Sequence, residues 1–148
     1  MSGAMSRRKG ANGERRACKL LTRITGEDWI RTPGGDVQFA GDIIPKGVVA
    51  PPWDRVFVEV KSYKGCRVEH LMMPTERELG WWRKARDEAN TAKRWPCLVV
   101  WVAGRGGALV LESPRFAKAS RVGWAERPQW EAQAQWLGCP VRVVGVEG

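Results

Sequence analysis

The sequence is poor in histidine, since His70 is the only one among 148 residues. Ser-His-Asp triads, HxxxH zinc sites and nucleases with a histidine acid–base pair all need imidazole groups that this chain mostly lacks. Tyrosine is equally rare: Tyr63 stands alone, and a tyrosine recombinase would also need histidines around its nucleophile. An enzyme of this composition that acts on nucleic acid would therefore have to use carboxylates and lysine.

Closely spaced cysteines and long apolar runs are also missing. No two cysteines have CxxC spacing, which argues against a zinc ribbon or a dithiol redox site; the four are Cys18, Cys66, Cys97 and Cys139. No apolar run approaches the roughly 20 residues that span a bilayer, and no signal-peptide core follows the basic N-terminus. We therefore predict a protein of the reducing cytoplasm.

Acidic residues are outnumbered, with 16 Asp and Glu against 25 Lys and Arg, so the formal net charge is +9. Such a surplus favours a polyanionic partner, nucleic acid first and an anionic membrane second. We predict nucleic acid and no membrane. The length fits one domain. We assign residues 1–6 to a flexible tail and residues 7–148 to a single domain, in which residues 113–148 form a C-terminal extension.

The order of predicted elements is that of an α/β protein. Apolar residues at helical spacing predict helices, and short apolar runs predict strands. From the N-terminus we predict a helix over residues 10–25, strands over 27–32, 37–44 and 55–61, a helix over 75–93, strands over 97–103 and 108–112, a short helix over 128–138 and a strand over 140–146. The resulting α-β-β-β-α-β-β core predicts a central mixed sheet flanked by helices.

Charged residues interrupt three of these apolar segments. In VFVEVK, residues 56–61, Glu59 and Lys61 share one face of the predicted strand. Asp42 directly precedes two isoleucines in the preceding strand, and Glu14 falls on the apolar stripe of the first helix. An edge strand with a cross-strand ion pair would explain the first feature, and the helix dipole would explain Glu14. Burying an unpaired carboxylate is costly, so the three features together call for a common reason.

A magnesium site is the common reason that we predict. If the second and third strands pair, Asp42 and Glu59 lie on neighbouring strands, with Lys61 about 6.5–7 Å further along the same face. Two carboxylates and the backbone carbonyl of Val60 would suit Mg²⁺, which prefers oxygen ligands, and Glu14 would project inward from the helix. The ion would activate water and neutralise charge on a phosphate, and Lys61 would orient the nucleophile or stabilise the transition state.

The D…E-V-K arrangement resembles the PD-(D/E)xK nuclease superfamily and, more narrowly, archaeal-type Holliday junction resolvases, including phage-encoded versions. The resemblance extends over residues 7–112 and rests on RRKGANGERRACKLL (7–21), WIRTPGG (29–35), GDII (41–44) and VEVKSYKG (58–65). It implies a restriction-endonuclease-like fold, a homodimer and Mg²⁺-dependent cleavage of four-way DNA junctions by paired nicks. It also implies that Mn²⁺ substitutes for Mg²⁺, that no nucleotide cofactor is needed, and that a phage-encoded version works in the host cytoplasm.

The resemblance also implies roles for individual residues. The catalytic set would be Glu14, Asp42, Glu59 and Lys61, and the metal ligands would be Asp42, Glu59, Val60 and Glu14. Contacts to branched double-stranded DNA are expected from Arg8, Lys9, Arg15, Arg31, Thr32 and Lys64. Gly41 stands where the family has proline, and Thr32 is the one hydroxyl in a loop that often carries serine. Asp36 in that loop is a competing carboxylate.

Two other interpretations remain open. The protein could be another PD-(D/E)xK nuclease that acts on forks, flaps or specific duplex sites, or a non-catalytic basic DNA-binding protein whose carboxylates form structural ion pairs. Nine tryptophans are present, and most are expected in the core. Three in the C-terminal extension, Trp124, Trp130 and Trp136, are better candidates than the other tryptophans for packing on a second subunit.

Overall fold

Two long helices and a seven-stranded sheet dominate the computed structural model, which describes residues 3–34, 40–116 and 124–146. The helices are α1 (Gly3–Thr25), α2 (Val68–Met72), α3 (Glu76–Thr91) and α4 (Ser113–Phe116), with a 3-10 turn over Trp53–Arg55. The strands are β1 (Trp29–Arg31), β2 (Ile43–Pro45), β3 (Val56–Lys61), β4 (Trp95–Val102), β5 (Gly106–Glu112), β6 (Trp130–Trp136) and β7 (Cys139–Gly145).

The sheet is mixed, as predicted, and its strand order is β1-β2-β3-β4-β5-β7-β6. Only the pair β3–β4 is parallel among the strand pairs of the described residues. The crossover between these two strands carries α3, as a parallel connection requires. This arrangement is a restriction-endonuclease-like fold.

The two faces of the sheet are covered by different helices. Val56 and Val58 of β3 pack in one core cluster with Leu21 and Ile24 of α1. On the opposite face, Trp82 of α3 packs with apolar residues of β4 that include Leu98 and Val100. Side chains alternate along a strand, and Glu59 pairs in register with Leu98. Glu59 and Lys61 therefore lie on the face of the sheet that α3 covers.

Both long helices were predicted, and one of them begins earlier than expected. The helix α1 starts at Gly3, inside the segment assigned to a tail, because Ala, Met, Arg and Lys in residues 4–9 are strong helix formers. The helix α3 has the predicted capping box: the Thr75 amide donates a 2.8 Å hydrogen bond to Glu78 Oε1. The predicted strand over 37–44 is shorter, with β2 at Ile43–Pro45 and residues 37–39 outside the described part.

The short helix predicted over residues 128–138 is wrong, because this segment forms β6. Its sequence WEAQAQW alternates, with Trp130, Ala132, Ala134 and Trp136 on the less exposed face. That period of two is the strand pattern, although Ala and Gln favour helices. A two-residue turn at Leu137 and Gly138, both with positive φ, then joins β6 to β7.

The C-terminal extension completes the sheet rather than standing apart from it. The strand β7 pairs with β5, and Trp136 is fully buried. Its indole Nε1 donates a 2.9 Å hydrogen bond to the carbonyl of Leu71. Trp124 packs edge-on against Trp53, with ring centroids 5.3 Å apart, and Trp130 is partly buried against the core. Trp136 is therefore a core residue and not a contact to a second subunit, while Trp124 and Trp130 are partly buried and have partners within the chain.

Candidate active site

The strand β3 carries a carboxylate into a nearly closed environment. Glu59 is only 6% exposed, and its immediate neighbours on β3 are the apolar Val58 and Val60. It lies opposite Leu98 of the central strand β4, so water reaches it from few directions. A charged group in such a place needs a compensating partner.

Asp42 lies beside Glu59 because β2 and β3 separate at this point. The Asp42 amide donates to the carbonyl of Val58 at 2.7 Å, and β2 pairs with β3 through Ile43 and Val58. Beyond that point the Val60 amide has no strand partner on this side, and it donates to Asp42 Oδ2 at 2.8 Å. The carboxylate of Asp42 thus takes the place of a neighbouring strand and is held next to Glu59.

Gly41 makes this approach possible. Its φ is +85°, and a Cβ atom on it would lie 2.6 Å from the Val58 carbonyl oxygen and 2.8 Å from the Val58 nitrogen. Both the left-handed backbone and the contact with the strand exclude other residues. The glycine that replaces the family's proline is therefore required here to bring Asp42 against β3.

Thr32 holds the same segment from the other side. Its hydroxyl donates to the Gly41 carbonyl at 2.6 Å, and its amide donates to the Asp42 carbonyl at 3.0 Å. The sequence predicted a DNA contact for Thr32, but in the structure its hydroxyl is committed to positioning Asp42. The competing carboxylate Asp36 lies outside the described residues.

The surroundings raise the pKa of both carboxylates. Burial, and after it the charge of Asp42, raises the pKa of Glu59 from its ordinary 4.5 to about 7. Burial also raises the pKa of Asp42, against the lowering effect of the Val60 amide. Paired carboxylates with raised pKa values are typical of functional sites and of sites that take up a cation.

Two lysines contact Glu59, and only one was predicted. Lys61 Nζ lies 3.6 Å from Glu59 Oε1, as expected for the next residue on the same strand face. Lys84 Nζ on α3 lies 4.0 Å from the same oxygen and 3.9 Å from Glu88 Oε1. The sequence analysis missed Lys84 and Glu88. The sequence feature that could have indicated them is their i,i+4 spacing, next to the buried residues of α3 that include Ala85.

Glu14 is less closely associated with this pair than predicted. Its Oε1 accepts a 2.9 Å hydrogen bond from Arg31 Nε, while its charge still contributes to the raised pKa of Asp42. Across residues 3–34, 40–116 and 124–146, no three His, Cys, Asp or Glu side chains are grouped closely enough to hold a metal ion. The expected convergence of three carboxylates is thus not seen, because α1 packs on the face opposite Glu59 and Arg31 pairs with Glu14.

The predicted DNA contacts are dispersed around this site. Arg8 and Lys9 lie in α1, and their side chains fall outside the described part of the structure. Arg15 is exposed and donates to Asn12 Oδ1 at 3.1 Å. Arg31 is exposed beside Glu14, and Lys64 is exposed just beyond the end of β3. The DNA contacts of these residues therefore stay predictions.

A family model described as "Phage putative PDDEXK endonuclease" matches residues 5–113. The chain belongs to this family. The match covers most of the chain and nearly coincides with residues 7–112, over which the motifs resemble PD-(D/E)xK nucleases. A search of curated proteins and a search of solved structures found no match. Family membership supports a nuclease of the PD-(D/E)xK superfamily.

Nucleases of this superfamily generally use divalent metals, and the donor set of this member suits one. Asp42 and Glu59 are oxygen donors, Glu59 is buried and Asp42 half-buried, and each is destabilised as an anion by its surroundings. A divalent cation between them would reverse that effect, because opposite charge favours the ionised form. Within the described residues, no helix is both long and apolar enough to cross a membrane.

Proposed function

We propose that this PD-(D/E)xK family member is a Mg²⁺-dependent DNA endonuclease that acts on branched DNA, above all on four-way junctions, by paired hydrolytic nicks. The observation that carries the proposal is the buried Glu59 with the half-buried Asp42 beside it and two lysines on Glu59. An isolated ion pair would not need a second carboxylate and a second lysine at one buried position.

Asp42 and Glu59 would hold the metal, with the Val60 carbonyl as a third oxygen donor. Mg²⁺ or Mn²⁺, when bound, supplies positive charge that offsets the charge of the phosphate in the transition state. The charge of Glu14 contributes to the raised pKa of Asp42. Glu14 would become a metal ligand only if its hydrogen bond from Arg31 were broken.

The two lysines, which approach the same oxygen of Glu59, would have different roles. Lys61 is the more buried of the two and follows the metal-ligand strand, so it would orient the attacking water or contact a phosphate oxygen. Lys84 is more than half exposed, and its pairing with Glu88 keeps its ammonium near Glu59. Both cations favour the ionised form of Glu59.

The choice of branched DNA rests on charge, on sequence resemblance and on symmetry. A net charge of +9 suits a polyanion. A four-way junction presents two equivalent strands, so two nicks call for two active sites, which a twofold homodimer would provide. We infer such a homodimer for this protein, with catalysis in the cytoplasm of a phage host.

Cleavage assays on synthetic DNA test this function. Labelled four-way junction, fork, flap and linear duplex are incubated with the protein in Mg²⁺, Mn²⁺ or EDTA, beside the variants Asp42→Asn and Glu59→Gln. Glu27→Gln, an exposed carboxylate to which the proposal assigns no role, is the matched control. We expect paired nicks in the junction with either metal, none in EDTA, and loss of cleavage with retained binding in both site variants.

Other outcomes assign the protein differently. Preferred cleavage of forks, flaps or one duplex sequence would place it among other nucleases of the superfamily. Cleavage that survives both substitutions would overturn the proposed site. Binding without any metal-dependent cleavage would leave a basic DNA-binding protein whose carboxylates are structural.

A further inference from the structure

An open cleft of about 590 Å³ lies at the end of β3, directly after Lys61 in the chain. It is bounded by α1 near Asn12 and Gly13, by residues 62–65 after β3, and by residues 103–106 at the turn between β4 and β5. Gly13 precedes Glu14 in the chain, and Ser62 follows Lys61. The cleft therefore begins where the strand that carries Glu59 and Lys61 ends.

The charge of the cleft is of one sign. Three of its lining residues, Arg16, Lys64 and Arg105, are exposed cations, and its lining includes no acidic residue. Among the described residues none of the three forms an ion pair with a carboxylate. Unpaired cations in a concave surface attract anions and concentrate them there.

Aromatic rings form part of the same lining. The guanidinium of Arg16 lies 4.1 Å from the ring centroid of Trp101, so that cation is held against the wall. Tyr63 is 45% exposed, although the Arg77 guanidinium covers one face of its ring at 4.0 Å and Trp81 packs against it at a tilt, with ring centroids 5.8 Å apart. A cleft with free cations and an accessible aromatic ring suits a ligand that joins a phosphate to a flat base.

Two polar groups of the lining are unsatisfied. Ser62 Oγ and Trp101 Nε1 are buried and have no hydrogen-bond partner within the described residues. Both lie under Gly13, where a Cβ atom would be 1.7 Å from Ser62 Oγ and 3.7 Å from Trp101 Nε1. A buried polar group without a partner in a native protein calls for an explanation, and a bound water, ion or ligand is one.

We propose that this cleft binds one unstacked nucleotide of the DNA strand next to the bond that is cut. Its volume lies in the range of small-molecule pockets, which suits a single nucleotide. Lys64, Arg105 and Arg16 contact the phosphate, and the base stacks on Tyr63. The inference rests on the proposed nuclease function and adds to it: the protein selects DNA in which a base can leave the stack, as at a branch point.

Binding assays in a background that does not cleave test the cleft separately from the catalysis. Fluorescence anisotropy with the Glu59→Gln protein compares a fully paired duplex with the same duplex carrying one unpaired nucleotide. We expect about tenfold tighter binding of the second DNA, as one stacked base provides. Tyr63→Ala should abolish that preference, Tyr63→Phe should keep it, and Arg127→Ala, an exposed arginine outside the cleft, is the control.

Two further measurements identify the ligand. The Lys64→Ala and Arg105→Ala double variant should weaken binding of both DNAs and reduce the slope of log affinity against log salt by about two. Equal affinity for the two duplexes, or an equal loss with Tyr63→Ala and Arg127→Ala, overturns the proposal. Binding of deoxyadenosine monophosphate that DNA does not displace would also overturn it, since the cleft would then take a free nucleotide. None of these results depends on whether the wild-type protein cleaves DNA.

Discussion

Replacing Glu59 by glutamine should make the metal-free protein more stable at alkaline pH. The pKa of Glu59 is about 7 in the folded protein against 4.5 ordinarily, so the folded state keeps a proton that the unfolded chain releases between these values. The free energy of unfolding therefore falls as the pH rises through this window. A difference of about 2.5 units, at about 1.4 kcal/mol per unit, amounts to about 3 kcal/mol above pH 7. Glutamine resembles the protonated acid and avoids this loss.

Urea unfolding in EDTA at pH 4 and pH 8 measures the effect. The Glu59→Gln variant should match the wild type at pH 4 and exceed it by about 3 kcal/mol at pH 8. Glu27→Gln should leave stability nearly unchanged at both values. A variant that is less stable than the wild type at pH 8, or a difference that does not depend on pH, would refute the argument that the ionised Glu59 is strained by burial.

Three other substitutions test separate parts of the structure. Gly41→Ala should cost about 2 kcal/mol or more in urea unfolding and abolish junction cleavage, because a Cβ atom cannot fit against Val58 at this φ. Lys84→Ala should move the acidic limb of the cleavage pH profile upward by about half a unit, since an exposed cation that lowers the pKa of Glu59 is lost. Trp136→Phe should cost about 1–3 kcal/mol in thermal or urea unfolding, because the buried Leu71 carbonyl loses its donor, while cleavage at low temperature is unchanged.

The strand that carries the site could be predicted because its composition conflicts with its position. A glutamate and a lysine within an apolar run have few stable solutions, and the period of two places them on one face. The contact between Lys84 and Glu59 could not be predicted in this way. It depends on how the helix α3 is rotated against β3, and this rotation is set by the packing of Trp82 rather than by any local pattern.

The C-terminal strand β6 was mispredicted because two patterns in it compete. Ala and Gln favour helix, while the alternation of exposed and less exposed positions favours strand. The sheet decides between them, since β7 offers an unpaired edge and buries Trp136 only if β6 is extended. Local propensity is worth a few tenths of a kcal/mol per residue, and burial of one large aromatic side chain exceeds it.

The separation of β2 from β3 brings Asp42 next to Glu59. If β2 continued to pair past Val58, its backbone would satisfy the Val60 amide and no carboxylate would be needed there. Because the strands part, Asp42 supplies an acceptor, and its negative charge comes to lie beside Glu59 in a place that water scarcely reaches. The ionised forms of Asp42 and Glu59 are disfavoured here, and a divalent cation bound between them would stabilise these same forms.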